Sequence, residues 1–193
     1  MRITGGIAKG IPLKSVKEEI LRPATDYIRE AVFSSLATNV IGQRFLDLFC
    51  GVGSYGLESI SRGSQGGIFI DNNRRIVSAL QQNITAVGKN FDGIDLKIEL
   101  CDVFKWLKVR QEYVKSSSHL QFGLIFLDPP YDIARDQWKE IFDLIDPFLL
   151  PNGHLIFEMP VDLNLPEISN LELKKRIEKK GKNSPAVSIF RKK

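Results

Sequence analysis

The stretch Phe122-Gly-Leu-Ile-Phe-Leu-Asp-Pro-Pro-Tyr131 constrains the fold of this chain more than any other. An unbroken apolar run bounded by chain breakers reads as a strand buried on both faces, the kind found inside a parallel sheet. Two consecutive prolines cannot continue a hydrogen-bonded ladder, so the chain leaves the sheet at Asp128. A carboxylate, a rigid backbone and the ring of Tyr131 are thereby placed at the carboxyl end of a central strand. In open α/β sheets, ligands bind along that edge.

The other segments supply partners for such a strand. Phe45–Phe49, Gly67–Asp71, Ile94–Leu100 and His154–Met159 read as further strands, with Ile94–Leu100 near a sheet edge. Helical spacing predicts helices over Tyr27–Leu36, Arg74–Val87, Val103–Lys108 and Arg135–Leu149, the last stopped by Pro151-Asn-Gly153. Leu171–Ile177 and Ala186–Phe190 read as a terminal antiparallel hairpin, and Arg2–Lys14 as a small glycine-rich hairpin at the amino terminus. Strands alternating with helices, then a closing hairpin, describe a mostly parallel, three-layer α/β fold. At 193 residues and 43 % hydrophobic, with no visible linker, the chain is expected to form one domain over residues 1–193.

Two cysteines, Cys50 and Cys101, are too few for a disulfide framework or a cysteine metal site. No apolar run approaches the length of a membrane span and no signal peptide is visible. The expectation is a cytoplasmic protein with no metal and no membrane contact, and nothing demands more than a monomer. The net charge of +4 is unevenly spread, with nine Lys/Arg against two Glu over residues 172–193. Residues 1–20 form a basic extension in which Arg2, Lys9 and Lys14 alternate with glycines, a composition suited to a phosphate backbone. Solvated surface would account for the same charges.

A second signal is Gly51-x-Gly53-x-x-Gly56, which joins the strand at Phe45–Phe49 to a following helix. Such a turn lets backbone approach a ligand closely, but glycine-rich turns are common and the pattern alone is weak. Asp71, twenty residues after Gly51 and at the end of another apolar strand, strengthens it, because an acid at that spacing takes ribose hydroxyls. A nucleoside-containing cofactor follows. A nicotinamide-dependent dehydrogenase would need a hydride relay beside the ring. A methyltransferase using S-adenosylmethionine would need none, and would set Asp71 on ribose and Asp102 near adenine.

The Asp128-Pro-Pro-Tyr131 corner favours the second. The lone pair of an exocyclic amine is delocalised into its base, so methylating it requires acceptors that draw the amino hydrogens out of plane. Asp128 and a carbonyl fixed by Pro129 and Pro130 supply these, and Tyr131 offers a face for a flipped base. A strand exit with a satisfied acid and a core tyrosine is the structural alternative.

These residues carry a family resemblance extending over essentially the whole chain. Arg2-Ile-Thr-Gly-Gly6 with Lys9-Gly10, Leu21-Arg-Pro-Ala-Thr-Asp26 with Ile28-Arg-Glu30, Leu46–Glu58, Asp128–Tyr131 and the basic final strand resemble the RsmD family, which methylates guanine N2 in 16S ribosomal RNA. The resemblance implies a Rossmann-like class I methyltransferase fold with a seven-stranded sheet and S-adenosylmethionine as cofactor. It further implies that Asp47, Phe49, Gly51 and Gly53 surround the methionine end, that Asp71 and Asn72 meet ribose, and that Asp102 and Val103 meet adenine. The segment Arg22–Arg29, Thr25 included, would fold over the cofactor and help shape the base pocket, and Arg2, Lys9, Lys14, Arg22 and Arg29 would contact the small-subunit RNA. An adenine-N6 DNA methyltransferase uses a similar corner, but no separate target-recognition domain is visible. A non-catalytic RNA-binding or assembly factor on the same fold is the rival from another class.

Overall fold

A computed structural model describes residues 1–16, 25–89, 91, 93–178 and 185–193. In chain order the elements are α1 (Thr25–Leu36), β1 (Arg44–Leu48), α2 (Ser54–Ser61), β2 (Gly66–Asp71), α3 (Arg74–Gly88), β3 (Asp95–Leu100), α4 (Val103–Gln111), β4 (Phe122–Leu127), α5 (Tyr131–Asp136), α6 (Trp138–Ile145), β5 (Leu149–Pro160), β6 (Leu171–Glu178) and β7 (Pro185–Lys192). The strands form one sheet of order β3-β2-β1-β4-β5-β7-β6. The first five are parallel and β7 runs antiparallel between β5 and β6.

Burial explains the strand sequences. Every residue of β4 is buried, as its uninterrupted apolar run requires. The edge strand β3 carries alternating exposed and half-buried residues. Within the central strands, alternate side chains enter opposite cores. Phe45, Phe69, Phe126 and Ile156 pack with Ile28, Val32 and Phe33 of α1, Leu57 of α2 and Leu80 of α3. Leu46, Ile70, Leu127 and Phe157 pack with Trp106 of α4, Ala134 of α5 and Ile141 and Phe142 of α6.

Three expectations require correction. The helix expected over Arg135–Leu149 is two helices and a 3-10 turn. Pro130 starts α5 at Tyr131, the backbone breaks at Gln137 (φ −126°, ψ 7°), and Pro147 lies in the closing turn Asp146–Phe148. Pro151-Asn-Gly153 does not end a helix but interrupts β5. The strand begins at Leu149 opposite Phe122, Asn152 adopts φ +63°, and regular pairing resumes at His154 opposite Leu124.

The amino-terminal segment folds back on itself with one isolated bridge, Arg2 to Pro12, rather than two strands. Its two limbs are held by the Ile3 amide on the Ile11 carbonyl at 3.0 Å and the Leu13 amide on the Met1 carbonyl at 3.1 Å, and the segment is also strapped to the sheet's helices. The Ile7 amide donates to the Ser61 carbonyl at 2.8 Å, and the Lys14 amide to Asn83 Oδ1 at 2.8 Å. Among the described residues, no helix is long and apolar enough to cross a membrane.

Candidate active site

β1 is followed by β2 and β3 on one side, whereas β4 and β5 extend the sheet on the other, so strand order reverses between β1 and β4. A crevice must open at the carboxyl ends of such a pair. A cavity of about 450 Å³ lies there, bordered by the turn after β1, the exits of β2 and β4, and Glu158 on β5.

The turn after β1 is shaped by its backbone. Phe49, Gly51 and Gly53 all have positive φ (54°, 53° and 83°). At Gly53, which caps α2, a Cβ would also lie 2.4 Å from Leu80 Cδ1. Gly56 serves packing rather than conformation, since a Cβ there would lie 2.3 Å from the Phe69 ring. Beneath the turn, Asp47 Oδ2 accepts the Gly56 amide at 2.9 Å and ties β1 to α2. Burial pushes the Asp47 carboxyl well above its ordinary value, opposed by the Gly56 hydrogen bond and reinforced by the charges of Asp128 and Asp71.

Asp71 closes the turn from the other side. Its Oδ2 accepts the Gly51 amide at 3.0 Å and its Oδ1 the Asn73 amide at 2.8 Å. Burial raises its pKa, and hydrogen bonds from Asn73, Gly51 and Asn72 counter that rise. Asp102 borders the cavity while capping α4, its Oδ1 2.9 Å from the Lys105 amide. Asp128 leaves β4 with its amide 3.4 Å from the Leu48 carbonyl, and Pro129 and Pro130 border the cavity beside it.

The structure therefore brings Phe49, Gly51, Asp71, Asn72, Asp102, Asp128, Pro129 and Pro130 together around one space. Asp47, Gly53, Val103 and Tyr131 do not line it. Asp47 and Val103 lie buried behind the lining, and Tyr131 is the half-buried first residue of α5. Arg2, Lys9 and Lys14 are exposed on the amino-terminal segment. Arg22 and the side chain of Thr25 lie outside the described residues.

Arg29 is not on the surface expected for an RNA contact. It is 1 % exposed, donating through Nε to Glu58 Oε2 at 3.3 Å and through Nη2 to Asp26 Oδ1 at 2.9 Å and to the Arg2 carbonyl. It borders the cavity from α1. Two further lining residues escape the sequence reading. The Tyr55 hydroxyl donates to Glu158 Oε2 at 2.8 Å, and the Tyr55 ring stacks on Phe126 at 5.3 Å. The signal for Glu158 was present: like Asp71 and Asp128, it is an acid at or just beyond the carboxyl-terminal part of an apolar parallel strand.

Among the described residues, four acids (Asp71, Asp102, Asp128, Glu158) line the cavity with Arg29 and Met1, so acidic side chains outnumber basic ones there. Such a lining suits a ligand bearing positive charge. Among the described residues, no group of His, Cys, Asp and Glu is arranged to hold a metal ion.

The sheet order, the switch-point cavity and the glycine turn with its strand-end acids define a Rossmann-like class I methyltransferase fold. The family described as Conserved hypothetical protein 95 matches residues 1–189. The chain belongs to this family, that of RsmD. It is 30 % identical over 169 residues to YlbH of Bacillus subtilis, with 86 % of each chain covered. It is 27 % identical over 170 residues to ribosomal RNA small subunit methyltransferase D of Escherichia coli, covering 87 % of this chain and 79 % of that one. The solved structure of yhhF from Escherichia coli superposes with a TM-score of 0.80 at 26 % identity, covering 100 % of this chain and 97 % of the other.

Proposed function

We propose that this protein transfers a methyl group from S-adenosylmethionine to the exocyclic N2 amine of a guanine in 16S ribosomal RNA. The observation that carries the reading is the Asp128-Pro129-Pro130 exit of β4, which borders an acid-lined cavity shared with Gly51 and Asp71. Likeness to small subunit methyltransferase D supports ribosomal RNA as the substrate.

The residues fit the cofactor by charge and shape. The acid-rich lining gives the cavity a field that suits the cofactor's net positive charge, and the positive-φ turn at Phe49, Gly51 and Gly53 permits close backbone approach. Bound there, S-adenosylmethionine would supply an electrophilic methyl group and depart as the thioether S-adenosylhomocysteine once its S–CH3 bond is broken, while the methylated amine would lose one proton to solvent. Asp71 and Asn72 take the ribose, Asp102 the adenine side, and Phe49 and Gly51 the methionine end.

Asp128 performs the chemistry-facing role. Its carboxylate accepts one amino hydrogen of the base, the Pro129 carbonyl accepts the other, and the nitrogen lone pair is freed to attack. The negative charge of Asp128 also stabilises the cation that develops on that nitrogen. Tyr131, at the start of α5, flanks the entry of the flipped base. Arg2, Lys9 and Lys14 meet phosphates outside the cavity.

Incubation with labelled cofactor and unmethylated small ribosomal subunits, followed by digestion to nucleosides, tests the reading. Label in N2-methylguanosine is expected. Label on adenine, or on protein alone, overturns it.

A further inference from the structure

An exit built from Asp-Pro-Pro accepts amino hydrogens from any base that has them, so it does not choose between guanine and adenine. The strand next to it carries a group that does. β4 and β5 pair in parallel with Leu127 opposite Phe157, so Asp128 and Glu158 are the next residues on neighbouring strands. Both border the cavity, and strands in a sheet lie about 4.8 Å apart. Asp128, one residue past β4, and Glu158 on β5 therefore meet the same end of the cavity, and the charges of both act on Tyr55.

Glu158 is 4 % exposed. Burying a carboxylate is costly without hydrogen bonds, and the Tyr55 hydroxyl provides one at 2.8 Å. Tyr55 is itself held by its stack on Phe126 and a ring contact with Phe33 at 6.4 Å. Burial and the charges of Glu158 and Asp128 push its phenol well above the ordinary range, which keeps the donor proton in place. The acid is thus held in one orientation at the cavity wall by a rigid donor.

We infer that Glu158, positioned by Tyr55, selects guanine by accepting its N1–H while Asp128 and the Pro129 carbonyl take the adjacent N2 amine. This rests on the guanine-N2 reading above and supplies its specificity. Guanine presents two neighbouring donors, N1–H and the amine, which match two neighbouring acceptors. Adenine in the same pose presents its amine beside a bare N1 lone pair, which a carboxylate repels. Glu158 is then a specificity residue and Tyr55 a positioning residue.

The test uses the full chain and small subunits reconstituted with RNA carrying either guanine or 2-aminopurine at the mapped target position. 2-Aminopurine keeps the N2 amine and lacks the N1 hydrogen. The wild-type protein is expected to prefer guanine by roughly a hundredfold or more in kcat/KM, because a site built for a hydrogen bond rejects the analogue lacking it. Glu158→Gln is expected to lower kcat/KM on guanine and narrow that preference to about tenfold or less, since a glutamine amide donates to the bare N1. Tyr55→Phe, which leaves Glu158 in place without its donor, is expected to narrow the preference in the same direction with S-adenosylhomocysteine affinity retained. If both substrates weaken by one common factor in the variants, Glu158 and Tyr55 are structural and this inference falls, while N2 methylation by the wild type stands. If Glu158→Gln does not fold, the ratio measured with Tyr55→Phe decides alone. If the wild type places no label on guanine N2, the functional reading itself fails.

Discussion

Arg29 and Glu58 meet inside the fold with Nε 3.3 Å from Oε2, joining the helix that borders the cavity to the helix that follows the glycine turn. The two are 1 % and 0 % exposed. Glu58 also accepts from Arg62 Nε at 2.8 Å and from the Thr4 amide and hydroxyl, each at 2.8 Å. One buried carboxylate thus fastens the amino-terminal segment, α1 and α2 together.

Removing that carboxylate leaves the Arg29 guanidinium buried with less compensation. Breaking a buried pair from one side costs about 3–5 kcal/mol, so Glu58→Ala is expected to lower the unfolding free energy by about 3 kcal/mol. Denaturant titration of both proteins checks this. Because the amino-terminal segment loses the two Thr4 hydrogen bonds, its amides should also exchange faster relative to those of β4.

Asp128→Ala is expected to reduce methyl transfer by roughly a thousandfold, the scale associated with losing a pre-placed charge at the reacting centre. Affinity for S-adenosylhomocysteine and for RNA should stay near wild type, because the glycine turn, Asp71 and the exposed basic residues are untouched. Single-turnover assays beside calorimetric titration separate the two effects. Loss of binding with transfer per bound complex preserved would remove Asp128 from the proposed chemistry.

How far the sequence reveals this arrangement depends on how local the cause is. The β4 strand and its exit are legible because apolar continuity and two prolines act on their own neighbours. The glycine turn and Asp71 are legible because a fixed spacing reflects one βαβ unit. The break at Gln137 is not, since the buried Ala134 of α5 and Ile141 of α6 keep helical spacing across it, and no proline or glycine marks the position. Arg29 reads as a surface base until Glu58, distant in sequence, is seen to bury it. Tyr55 and Glu158 are 103 residues apart, and no local pattern announces that one orients the other.

Asp47 gives a pH signature of stability. Its folded-state pKa is raised above the ordinary 3.8, chiefly by burial. A carboxyl with a raised folded pKa contributes stability that is fully present below the unfolded value and is lost as pH rises through the folded value. The loss therefore begins as pH rises above 3.8 and is complete only once pH has passed the folded value. Asp47→Asn keeps an acceptor for the Gly56 amide but cannot ionise. Its melting temperature relative to wild type is expected to rise as pH increases through that window, and thermal melts across a pH series read it out. A flat difference would show that Asp47 does not ionise with a burial penalty.

The third glycine of the turn motif makes a packing prediction independent of any ligand. A Cβ at Gly56 would lie 2.3 Å from Phe69 Cε1 and 2.7 Å from Phe45 Cε2, two rings that meet edge to face with centroids 5.0 Å apart. Both rings are fully buried in the core beneath α2, so neither can swing out to solvent to make room. Gly56→Ala must instead lift α2 from the sheet, and overpacking of this kind costs about 1–3 kcal/mol. Lifting α2 also moves the Gly56 amide away from Asp47 Oδ2, now 2.9 Å distant. That helix continues directly from the glycine turn that borders the cavity, so cofactor affinity is expected to fall along with stability. Gly88→Ala is the matched control: a Cβ there meets nothing within 4 Å at the end of α3. It should leave both the melting temperature and S-adenosylhomocysteine affinity at wild-type values.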